Sequence, residues 1–272
     1  MALDLGAPIF VRGIVNKRSQ MKCWPLLICC MLTGSVHIGL MINYGAEAFL
    51  TAWWIFCELR GYPAKVQSDS GSQLKASVTT ITWNDAEDPT VWDWKKVASE
   101  TARKGTEFKI VPPGCQWRNG LAESQIKAMK RSLFQLASNS VIKSSSPTLN
   151  FQDWSLLLHR VANVANERPL GVRSVTEDLI LPITPNQLLI GRTKTGITCP
   201  DSLPAEYTKQ KVYSDVLLQS WWSMWYPQVF DNLIPYQSYR DSKRHRNLCP
   251  GDICLLRYDN KIMALLQVLS GS

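Results

Sequence analysis

Three carboxylates, Asp4, Asp69 and Glu123, sit at positions that folding could bring together. Asp4 lies near the start of an apolar strand-like run. Asp69 follows the short strand pattern Ala64–Ser68. Glu123 falls in the first turn of a helical pattern that empties from the Gly-bearing loop Pro113–Gly120. Phosphodiester chemistry with two metal ions needs such a cluster, because ions about 3.5–4 Å apart activate one oxygen and stabilise the other. Hard cations take carboxylate oxygens, and Mg²⁺ keeps several waters, so two or three acids suffice. Activation then comes from the metal, and no His base is required. At about 100° per residue, Glu123, Lys127 and Lys130 share a narrow helical arc, with Arg131 beside it. Ile126, Met129, Leu133 and Leu136 form a separate apolar stripe. An acid beside a row of cations suits a metal ligand next to a phosphate backbone. Each residue also has an ordinary reading. Asp69 can be a turn residue, Glu123 a first-turn acid favoured by the helix dipole, and Asp4 a solvated residue near a terminus. The cations can be a solvated helix face.

The elements that must position these residues follow from periodicity and punctuation. Residues 3–16 read as a first strand and its exit. Trp24–Leu32 and Ser35–Met41 read as a hairpin with a two-residue turn at Thr33-Gly34. Ala46–Leu59 is helical through Phe49, Ala52, Trp53 and Phe56, and stops at Gly61 and Pro63. The strand Ala64–Ser68 can return parallel to the first, which is an α/β arrangement. Asp88-Pro89 resembles a helix start, Gly105 closes that helix, and Glu107–Val111 is a strand. The helix of Glu123 runs to about Ser138, and a second long helix covers roughly Phe151–Glu167. Beyond Leu170, Leu181–Asn186 reads as a proline-punctuated connector, and Tyr207–Val229 as a helix carrying Trp221, Trp222 and Trp225. Those three are better packing residues than base-stacking platforms. From Asn247 the pattern is β, part of a small barrel.

Composition agrees with a polyanion partner. The 272 residues carry a formal charge of +8, with a pI near 9.1, a balance that attracts polyanions such as nucleic acid. A hydrophobic fraction of 45% and eleven Trp point to packed cores. Eight Cys include no C-x-x-C pair, and His number three, which is poor material for zinc. Buried, reduced thiols in an intracellular protein fit these Cys, since disulfides mark small or secreted domains. Met21–Leu32 mimics a signal peptide but lies behind Asn16-Lys17-Arg18 and is too short to span a bilayer. A buried strand is expected there, and no membrane partner.

Several motifs, in order, resemble those of retroviral and retrotransposon integrases. Val66-Gln67-Ser68-Asp69-Ser70-Gly71-Ser72-Gln73-Leu74 resembles their second-aspartate motif, and Asn119-Gly120-Leu121-Ala122-Glu123-Ser124 their glutamate motif. Leu3–Pro8, followed by Val15–Arg18 and Lys22, resembles the first-aspartate strand. Asn166-Glu167-Arg168-Pro169-Leu170, Leu181–Gly191, Trp222 with Trp225, and Pro250–Leu256 resemble the Pao/BEL retrotransposon subgroup. The resemblance implies a ribonuclease-H-like core over residues 1–170, with a five-stranded mixed sheet flanked by helices. A connector with a Trp-rich helix (171–245) and a partial SH3-like β-barrel (246–272) would follow. It implies that Asp4, Asp69 and Glu123 bind two Mg²⁺ or Mn²⁺ ions. The reaction would be 3′-end processing of element DNA, then strand transfer into target DNA. Gln116, Asn119, Lys127, Lys130 and Arg131 would contact nucleic acid, with double-stranded DNA and further copies of the chain as partners, and the nucleus as the place of action.

The chain also departs from that pattern. The Asp69-to-Glu123 gap is long, with an insertion expected near 75–88, and no His/Cys domain is expected ahead of the core. Met1 stands three residues before Asp4. These departures predict an excised or decayed piece of a polyprotein in which the Asp4 strand is the weak point. Two competing readings follow: a catalytically defective, integrase-derived DNA-binding or assembly protein, and a ribonuclease-H-like nuclease.

Overall fold

The computed structural model describes residues 1–13, 19–69, 94–111, 120–138, 149–174, 180–192, 208–230, 253–258 and 261–267. The expected insertion at 75–88, the helix start at Asp88-Pro89, and the loop residues Gln116 and Asn119 lie outside them.

The organising strand is β3 (Gln20–Cys29). Along one edge it carries β1 (Ala2–Leu5) and then β2 (Ile9–Arg12), both antiparallel. Leu5 pairs with Leu26 and Ile9 with Cys23, so Gly6, Ala7 and Pro8 oppose only Trp24 and Pro25. This is a bulge, one strand carrying an extra residue. The Gly6 N–H donates to the Pro25 carbonyl at 2.8 Å. A Cβ at Gly6 would lie 3.1 Å from the Pro25 side chain, so the absence of a side chain permits the approach. The sequence suggested one strand and an exit here. The bulge divides it into two.

On the other edge of β3, β4 (Val36–Met41) pairs antiparallel. β5 (Lys65–Asp69) runs parallel to β1, and β6 (Glu107–Val111) parallel to β5. The lateral order is therefore β4, β3, β1, β5, β6, with β2 continuing the line of β1. The hairpin between β3 and β4 is wider than the expected two residues, because Cys29 pairs with Val36 and Cys30–Ser35 form the turn. Gly34, at φ 64°, takes a left-handed conformation that glycine adopts at no steric cost.

Period-two alternation sends side chains into two cores. Leu3, Leu5, Leu26 and Ile28 pack with Phe49, Trp53 and Phe56 of α1 (Ala46–Arg60) and with Val97 of α2 (Trp94–Ala102). Ala2, Leu27 and Cys29 face the opposite way. They join Met129 of α3 (Gly120–Ser138), Trp154 of α4 (Phe151–Ala165) and Trp221 of the long helix Thr208–Phe230. The stripe Ile126, Met129, Leu133 and Leu136 is buried. Asn150 caps α4 in a reciprocal capping box with Asp153.

The segment after α4 has more structure than a connector. β7 (Gly171–Ser174) and β8 (Ile180–Ile183) pair antiparallel, and α5 (Pro185–Ile190) follows. Thr184 Oγ1 accepts from the Gln187 N–H, and Pro185 takes a first-turn position where its missing N–H costs nothing. The Trp-rich helix Thr208–Phe230, α6, lies on α3 and α4. Trp221 and Trp225 are fully buried and stack at 5.0 Å, as packing residues should. The Trp221 indole donates to Ser132 Oγ at 2.9 Å. At the C-terminal end β9 (Ile253–Tyr258) and β10 (Lys261–Gln267) form an antiparallel pair. No barrel is formed among the described residues there. No helix among them is long and apolar enough to cross a membrane.

Candidate active site

Asp4 occupies the middle of the sheet. It alternates with the buried Leu3 and Leu5 and so belongs to the face covered by α3. One carboxylate oxygen accepts the Leu5 N–H at 2.7 Å, and the other accepts the Lys130 ammonium at 2.9 Å. The pair is partly screened, with the Lys130 and Asp4 side chains 38% and 28% exposed. Lys130 thus reaches back from α3 to the centre of the sheet, although it was expected beside a phosphate.

Asp69 is placed by register. Ala2 pairs with Gln67 and Leu3 with Ser68 in the parallel β1–β5 ladder, so the next position along each strand is Asp4 on one and Asp69 on the other. Adjacent strands are about 4.8 Å apart. The same residue closes β5 opposite Val111 of β6. The side chain of Asp69 lies outside the described set.

Glu123 stands in the first turn of α3, half-buried, seven residues before Lys130. Seven residues are nearly two turns, so the two side chains leave the helix on almost the same face, about 10 Å apart along its axis. The Lys130–Asp4 bond therefore fixes which face of α3 looks at β1. Lys127 and Arg131 are exposed. Among the described side chains no group of three His, Cys, Asp or Glu is gathered to hold a metal. The donor types nonetheless suit a hard cation: carboxylates on two neighbouring strands and one on the covering helix.

Sequence reasoning missed a buried polar latch. The Asn166 side chain accepts the Val36 N–H and donates to the Val36 carbonyl, both at 2.8 Å, and so pairs the outer edge of β4. Arg168 donates to the Ala165 carbonyl at 2.9 Å and to the Gly34 carbonyl at 2.6 Å. Burial lowers the Arg168 pKa, and the neighbouring Cys29 opposes that shift. The Asn186 N–H donates to the Asn166 carbonyl at 2.9 Å. The motifs around Asn166 and Asn186 thus hold the hairpin and α5 to the end of α4. A hydrogen-bonding residue just past a helix, with a proline two or three positions on, was the available signal.

A concavity of about 250 Å³ opens on the far side of β4, between α1 and α4. His37 and His159 line it, with ring centroids 5.7 Å apart. Burial first, then the neighbouring His159 and Arg60, push the His37 pKa down to about 4. Cys23, Cys29, Cys30 and Cys57 are free thiols. Burial pushes Cys29 and Cys57 up to about 12, as expected of inert structural cysteines.

No family model and no curated protein matches the chain. Among solved structures, a chain of the simian T-cell lymphotropic virus intasome in complex with PP2A regulatory subunit B56 gamma is similar at a TM-score of 0.38 and 13% identity. The match covers 75% of this chain and 58% of that one, so this chain spans less than two thirds of its neighbour.

Proposed function

We propose that the chain is an integrase-like polynucleotidyl transferase domain of the D,D,E type, with a ribonuclease-H-like core, acting on double-stranded DNA. The observation that carries this reading is the register of β1 and β5, with α3 packed on β1 and β3. The backbone positions of Asp4 and Asp69 are adjacent on parallel strands, and Lys130, which leaves α3 on nearly the same face as Glu123, bonds Asp4. The lateral order β4, β3, β1, β5, β6 supports a five-stranded mixed sheet once β1 and β2 are counted as one bulged strand. The ordered motifs of the Pao/BEL subgroup support the same reading at the level of residues.

In this function Asp4, Asp69 and Glu123 would hold two Mg²⁺ or Mn²⁺ ions. Such ions supply Lewis acidity toward a water or a 3′-hydroxyl and toward the leaving oxygen. The chain itself contributes placement. In this reading the sheet would supply two of the carboxylates and the helix the third, and the exposed Lys127 and Arg131 would offer cations to the DNA backbone. Processing releases nucleotides from the element end, and strand transfer joins the exposed 3′-hydroxyl to target DNA. Further copies of the chain would assemble on the two ends, and a small barrel beginning with β9 and β10 would add DNA contacts.

The test is Mg²⁺-dependent joining of a labelled DNA end to a target duplex, with Glu123→Gln abolishing the product. A second reading, a non-catalytic DNA-binding or assembly protein, is favoured by one observation: the Asp4 carboxylate is already engaged by Lys130 and the Leu5 N–H. Salt-sensitive DNA retention without joining would select it. Nicking of RNA–DNA hybrids without joining would instead indicate a nuclease.

A further inference from the structure

The Lys130–Asp4 pair joins two groups that the proposed function needs for different partners. Lys130 is three residues past Lys127 on the arc proposed to follow DNA phosphates. Asp4 is proposed to hold a divalent cation. In this structure they satisfy one another at 2.9 Å, across 126 residues of sequence. The second Asp4 oxygen is taken by its neighbour's backbone N–H at 2.7 Å. An incoming cation therefore meets an ammonium on the oxygen that α3 faces. Two positive charges on that oxygen repel one another, so the ammonium weakens the hold of Asp4 on the cation.

We infer that Lys130 is an internal counter-ion that occupies the Asp4 carboxylate in the DNA-free protein and exchanges it for a phosphate when metal binds. This rests on the proposed active site and assigns Lys130 a role in loading it. Metal binding displaces the ammonium from Asp4, and a lysine with its long flexible stem can then turn to a nearby phosphate. DNA binding gives the displaced ammonium a new partner, which removes the competitor for Asp4. Metal and DNA therefore favour one another, and linkage makes the coupling reciprocal. Lys127, exposed one turn earlier, serves phosphate alone.

The experiment measures Mn²⁺ affinity of the full chain by calorimetry or electron paramagnetic resonance, with and without a short DNA duplex. Without DNA, Lys130→Ala and Lys130→Gln should both tighten Mn²⁺ on the order of fivefold, the factor expected from removing a partly exposed ion pair. With DNA, the same variants should lose most of the enhancement that duplex gives to Mn²⁺ binding in the unaltered chain. A gain in Mn²⁺ affinity without DNA, together with a lost DNA enhancement, is the signature, and a merely structural lysine does not produce both. Lys127→Ala should weaken DNA binding while leaving DNA-free Mn²⁺ affinity unchanged. Equal tightening in Lys127→Ala and Lys130→Ala would reduce the effect to general charge removal and overturn the inference. So would unchanged or weaker Mn²⁺ binding in Lys130→Ala. Asp4→Asn separates the two levels. If it abolishes Mn²⁺ binding while Lys130→Ala does not tighten it, the site stands and the counter-ion role fails. If Asp4→Asn leaves Mn²⁺ binding intact, or the chain binds no Mn²⁺, the proposed site fails with it.

Discussion

Replacing Asn166 with Ala should remove a large part of the fold's stability. Asn166 is 2% exposed, and its amide makes two 2.8 Å hydrogen bonds to the free edge of β4. Truncation leaves the Val36 N–H and carbonyl without those partners in a buried setting. Each orphaned backbone group costs about 1–3 kcal/mol, so the pair predicts a loss of about 2–6 kcal/mol. Natural domains have only about 5–15 kcal/mol in total. Equilibrium urea unfolding measures this directly, and the midpoint should fall with an unchanged slope. Leu32→Ala, at a position 89% exposed in the hairpin turn, is the control and should shift stability by less than about 0.5 kcal/mol. Asn166→Asp keeps an acceptor for Val36 N–H but sets a carboxylate against the Val36 carbonyl, so it should be at least as damaging as Ala. A loss below about 1 kcal/mol for Asn166→Ala would refute the latch.

The remaining predictions concern the core and its titration. His37 is neutral in the fold down to about pH 4 but takes a proton near 6.5 when unfolded. Stability should therefore fall as pH drops from about 6.5 towards 4, by up to about 3 kcal/mol. His37→Gln should flatten that part of a stability–pH profile, and an unchanged slope would count against it. Trp221→Ala should cost about 3–5 kcal/mol and lower the single unfolding midpoint of the whole sheet followed by circular dichroism. A sheet that still melts at its original midpoint would show α6 to be a separate unit.

Local pattern made much of this structure readable. β6 at Glu107–Val111 and the end of α3 at Ser138 lie where the sequence placed them, because their apolar spacing and flanking breakers act locally. The parallel return of the Asp69 strand was also legible, since an intervening helix favours it. Long-range effects were not. The turn at Cys30–Ser35 is held by Arg168, 134 residues away, which no local turn rule includes. β2 was hidden by Pro8, which signals a stop but here sits in a bulge. β8 was hidden by Pro182, which an edge strand can accept. At the site, the types of Asp4, Asp69 and Glu123 suggested chemistry, and the order of strands suggested adjacency. The Lys130–Asp4 pair depends on how α3 docks, and periodicity alone does not reveal that.

The docking of α3 between sheet and α6 has a consequence for how this segment can vary. Its buried stripe meets β1 and β3 on one side, and Ser132 meets Trp221 on the other. Neither contact lets the helix turn about its axis. One residue inserted between Glu123 and Lys130 would swing everything after it by about 100°. Lys130 would then leave Asp4, and Ser132 would leave Trp221, together. Surface substitutions on this helix alter one contact at a time, whereas a change of length misaligns all of them. Among related chains, the seven-residue interval from Glu123 to Lys130 should therefore be fixed more strictly than the identity of most residues inside it.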